Sequence, residues 1–171
     1  MRHPKFSVSF EELPSDPKER HEALVDLFGE YVLWVREQAI SRIRRLVESE
    51  EERNKLGTLF RDVFEDAANL PVKDRIIALR LVESAIGNFA GLFLTMMSGQ
   101  GFDDSLGPNH VFRYRLDMEV CDVEKGEVVY EETINRGGKK FFPEYWGRWL
   151  NKYRELQAEN NGEATGNITI P

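Results

Sequence analysis

Between residues 103 and 110 the chain reads DDSLGPNH, which places two carboxylates, a serine and a histidine within eight positions. Asp103, Asp104 and His110, with Arg113 just beyond, are the residue types of general acid and base chemistry or of a small-ligand pocket. Asp, Ser, Gly, Pro and Asn also build ordinary tight loops, where short polar side chains bond to the backbone. No GxSxG elbow surrounds Ser105, and Cys121 has no histidine near it in sequence. The sequence therefore assigns no nucleophile and no catalytic residue.

A second unusual run, NRGGKKFFPEYWGRW, spans residues 135–149. Its Gly137-Gly138-Lys139-Lys140 follows a strand pattern and precedes a helix, the context of a phosphate-binding loop. GxxxxGK[ST] would need a glycine where Thr133 stands and a hydroxyl where Lys140 stands, so this is not a Walker loop. Arg136, Lys139 and Lys140 still sit before a helix N-terminus, where free N–H groups favour an anion or an acidic partner. Trp146, Arg148 and Trp149 are types enriched in binding hot spots, and they equally suit a helix packed on a core. These six are the candidate contact residues. The alternative is a ligand or enzyme site between the 98–110 loop and the 135–140 turn, using Asp103, Asp104, His110 and Arg113 together with Arg136.

Histidines stand at positions 3, 21 and 110, without HExxH, HxxxH or ExxH spacing. A single cysteine excludes an intrachain disulfide and a zinc site with two thiolates. No metal or cofactor is expected. The net charge of −7 disfavours nucleic acid as a partner. Arg36, Arg42, Arg44 and Arg45 form a local basic run, but Arg44 and Glu48 fall at helical spacing and can pair on a solvated face. The apolar run 85–97 is broken by Asn88 and falls short of ~20 residues, and the N-terminus lacks a signal-like apolar core. The expectation is a cytoplasmic protein with no membrane span.

The elements that would position these groups follow from periodicity. Lys5 to Phe10 alternates as a strand does. Asp16-Pro17 with Glu19 starts a helix, along which Leu24, Leu27, Phe28, Tyr31, Trp34, Val35, Ile43, Leu46 and Val47 make one apolar stripe. After a charged break at 48–55, a second helix carries Leu56, Leu59, Phe60, Val63, Phe64 and Ala67 and closes before Pro71. A third, from Val72 to Met97, turns apolar nearly all round after Val82 and is expected to be central, with Gly87 and Gly91 admitting a close neighbour. Alternation from Phe112 to Cys121 and the run EVVYEETI make a hairpin around Glu124-Lys125-Gly126. A last helix follows Pro143, with Phe141 placed to staple onto Trp146.

Together these predict an α+β fold: an N-terminal three-helix bundle, an antiparallel β-hairpin that the N-terminal strand could join as a third, and a C-terminal aromatic helix. One domain is expected over 1–157, with a disordered polar tail at 158–171. With no catalytic spelling, the functional expectation is a stand-alone cytoplasmic binding or regulatory protein of the inhibitor or immunity-like class. It would act through protein contact or self-association.

Overall fold

The computed structural model describes residues 10–98, 114–136 and 140–165, and the side chains of all of these except Leu59 and residues 156–165. The expected N-terminal strand lies outside the described residues up to Ser9. Its last member, Phe10, instead opens a single 3-10 turn, Phe10–Glu12, closed by Leu13 N–H donating to the Phe10 carbonyl at 3.2 Å.

Helix α1 runs Pro17–Glu48. Asp16 caps it as its spacing predicts, one carboxylate oxygen accepting the Lys18 and Glu19 N–H groups at 3.0 Å each. The charged break holds more structure than the sequence suggests. Ser49 turns extended, ending α1, and accepts the Glu52 N–H at 3.3 Å to start α2, Glu50–Asn54. Arg53 then reaches back to the Leu46 and Val47 carbonyls at 3.1 and 2.9 Å, satisfying acceptors that α1 leaves free at its end.

Helix α3 spans Thr58–Asn69 and stops where Leu70, held extended by Pro71, cannot continue it. Helix α4 spans Val72–Met97. Strands β1, Asp117–Cys121, and β2, Val128–Thr133, pair antiparallel, with a bulge between Val120 and Cys121. Their turn is held by Asp122, whose carboxylate accepts the Glu124 and Lys125 N–H groups at 2.9 Å, and by Gly126 at φ 68°, where a Cβ would be strained. Helix α5 is Phe142–Thr165, so helical backbone enters the stretch expected as tail. Its start is closed by Glu144, whose carboxylate accepts the Phe141 N–H at 2.8 Å.

The fold is thus mixed α+β, mostly helical with a two-stranded hairpin among the described residues. It divides into two compact units: the first is Met1–Leu33 with Gly91–Pro171, the second Trp34–Ala90. In the first, Leu24, Val25 and Leu33 of α1 bury themselves against Leu94, Ile134, Phe142, Tyr145 and Trp149. Leu116, Met118 and Tyr130 of the hairpin side pack onto this cluster, while Asp117 and Glu119 face water. Such alternation is why a two-stranded sheet can persist here: one face borrows a helical core.

Asn135 joins the hairpin to α4 within this unit. Its amide donates to the Met97 and Tyr114 carbonyls at 2.7 and 3.0 Å and accepts the Leu116 N–H at 3.0 Å. Asn135→Ala removes all three bonds and strands partly buried backbone groups. We expect a loss of about 2 kcal/mol in urea unfolding, against under ~0.5 kcal/mol for a typical surface substitution.

The second unit corrects two expectations. Helix α4 is not a covered central helix: Leu94 is its only buried residue, and that lies in the first unit. The α3 stripe is not enclosed in a bundle either, since Phe60 is 62% and Val63 65% exposed. All-round apolar sequence predicts covering only if enough elements are present to cover it, and this unit contains only α2, α3 and parts of α1 and α4. Arg44 also pairs with Glu83 of α4 instead of Glu48. By length and composition α4 could cross a membrane, which the sequence reading did not expect of this segment. Its C-terminal end is nevertheless engaged in the first unit, through Leu94 in the core and the Asn135 bond to Met97.

Candidate interaction surface

The structure separates the sequence candidates. Asp103, Asp104, His110, Arg113 and Lys139 lie outside the described residues. Arg136 donates to the Tyr114 carbonyl at 3.0 Å and Lys140 is exposed. Trp149 is only 3% exposed, so its indole belongs to the core and not to a surface. Trp146 is half-buried beside Gly91, whose added Cβ would meet the indole nitrogen at 3.7 Å.

What α5 meets is a row of acids that the sequence reading passed over. Glu22, Asp26 and Glu30 recur every fourth residue along α1 and so share one face. Tyr145 Oη donates to the two Glu22 carboxylate oxygens at 2.9 and 2.8 Å, and Trp149 Nε1 donates to Asp26 at 2.8 Å. Arg148 pairs with Asp26 while its guanidinium lies 4.7 Å from the centre of the Tyr145 ring. Lys152 reaches Glu30 at 3.3 Å. Partners advance together along both helices, so α1 and α5 run side by side in the same direction. The i, i+4, i+8 spacing of the acids against Tyr, Trp and Lys on a later helix was the available signal.

Burial, and then the adjacent Glu22 carboxylate, push the Tyr145 phenol up to about 12. The folded state therefore favours the neutral phenol, which is the form that donates to Glu22. The stabilisation is complete below the unfolded value near ~10 and is lost as pH rises toward 12. Subtracting the stability of Tyr145→Phe from that of wild type at each pH should give a difference that is level up to pH ~10 and then falls. A difference independent of pH between 10 and 12 contradicts the assignment.

A second polar cluster lies between α1 and β2. His21 is 7% exposed and bonds through Nδ1 to Glu132, which also accepts the Tyr130 hydroxyl. Burial first, then Glu132, raises the Tyr130 phenol above its ordinary range, and the Arg20 guanidinium lies 5.3 Å from the ring centre. A carboxylate holding one histidine nitrogen is the arrangement that orients an imidazole for proton transfer. Here the other nitrogen, Nε2, is itself buried and has no hydrogen-bond partner among the described residues. On the outer hairpin face Glu119 stands directly opposite Glu131, with Arg115 3.5 Å from the latter. The Thr133 hydroxyl and then Arg115 hold the nearby Asp117 carboxyl below its usual range. Among the described residues no three His, Cys, Asp or Glu side chains group as a metal site would require.

The charged groups of the α1–α5 row that reach solvent, Arg148, Asp26 and Lys152, are each held by a partner across the two helices, whereas His21 is buried. Family models, curated proteins and solved structures were compared with the chain, and none matches. The feature that remains is apolar and lies in the second unit. Phe60 and Val63 of α3, at i and i+3, share one exposed face. On α4 every fourth residue from Ile77 is apolar and exposed: Ile77 at 47%, Leu81 at 66%, Ala85, and Phe89 at 71%. Residues four apart form a continuous ridge on a helix, the shape that fits the groove of another helix.

Proposed function

We propose that this chain is a cytoplasmic binding or regulatory protein that acts through protein contact, in the manner of inhibitor or immunity-like proteins, and that its second unit carries the contact. The supporting observation is the exposure of large apolar side chains on α3 and α4. Scattered exposed leucines are ordinary. A ridge of four consecutive i, i+4 apolar positions on α4, with Phe60 and Val63 of α3 also open to water, is the pattern of surface that is covered when working. The single cysteine, exposed and unbridged, suits a reducing compartment.

The test is affinity capture from the native host with the full chain as bait, comparing wild type with Phe60→Glu/Leu81→Glu. Both side chains are more than half exposed, so the double variant should fold normally by circular dichroism. A partner retained by wild type and lost by the double variant supports the reading. Identical binding profiles for the two baits would sink it.

A further inference from the structure

We draw no further inference here: the strongest candidate, the exposed apolar face of α4 along Ile77, Leu81, Ala85 and Phe89, is bordered by exposed Lys73, Asp74, Arg80 and Asn88, and nothing in the structure shows what covers it.

Discussion

Gly29→Ala is expected to destabilise the first unit by about 2–3 kcal/mol, although alanine is the better helix former by about 1 kcal/mol. Gly29 is buried in the middle of α1, where a Cβ would overlap Cε2 and Cδ2 of the Trp149 indole and lie 2.7 Å from its Nε1. The ring cannot slide away. Phe28 meets it edge-on at 6.4 Å between centroids, Tyr145 stacks on it at 5.7 Å, and Phe142 lies 6.4 Å away. Moving it would also break the bond to Asp26. Differential scanning calorimetry should show a fall of roughly 5–10 °C in the transition of this unit. Gly87→Ala is the control. Its Cβ would meet Arg36 Nε at 3.8 Å, an ordinary contact, so helix propensity decides and stability should rise slightly. A Gly29→Ala protein as stable as wild type would show that the α1–α5 contact is looser than the structure describes.

Trp149→Ala should be the more damaging change, at about 3–5 kcal/mol, because it removes a buried indole and leaves a cavity among rigid aromatic neighbours. It also takes from Asp26 its indole donor, leaving Arg148 as the remaining partner. Urea unfolding followed by far-ultraviolet circular dichroism measures the loss. The association state, read by light scattering at matched folded fraction, should be unaffected, because this side chain is internal. An altered association state with unaltered stability would return Trp149 to the surface. The two substitutions should also couple. In Gly29→Ala/Trp149→Ala the new methyl occupies space the indole vacated, so the pair costs less than the two singles added.

These two sites show how far the sequence could be read. The start of α1 at Asp16-Pro17, the end of α3 before Pro71, the span of α4 and the turn at Gly126 were all legible, because each depends on backbone rules acting over a few residues. Gly87 and Gly91 drew attention as a close-approach face, yet both have room for a methyl group. Gly29, flanked by Phe28 and Glu30 in an unremarkable stripe, does not, and the reason lies 120 residues away in Trp149. The same distance hid the Glu22, Asp26 and Glu30 row, whose meaning depends on which helix lies beside it. Burial was misjudged on α3 and α4 for a related reason. Periodicity says which face of a helix is apolar, but only the presence of other elements says whether that face is covered. Of the candidate site residues, Trp149 proved internal, and the alternative ligand residues fall outside the described part of the chain.

The division of the chain has a consequence for how the protein is made. The second unit is one uninterrupted stretch, Trp34–Ala90, and can gather as soon as it leaves the ribosome. The first unit cannot. Its α1 half is synthesised first, yet Tyr145 and Trp149, which cover Leu24 and Val25 and bond to Glu22 and Asp26, come 123 residues behind those acids. Closing a loop of that length is slow compared with local helix contacts. During elongation the apolar face of α1 therefore stays open until α5 emerges, and any chain ending before Phe142 keeps it open permanently. Nascent or truncated forms therefore expose apolar surface prone to aggregation until the C-terminal helix is complete.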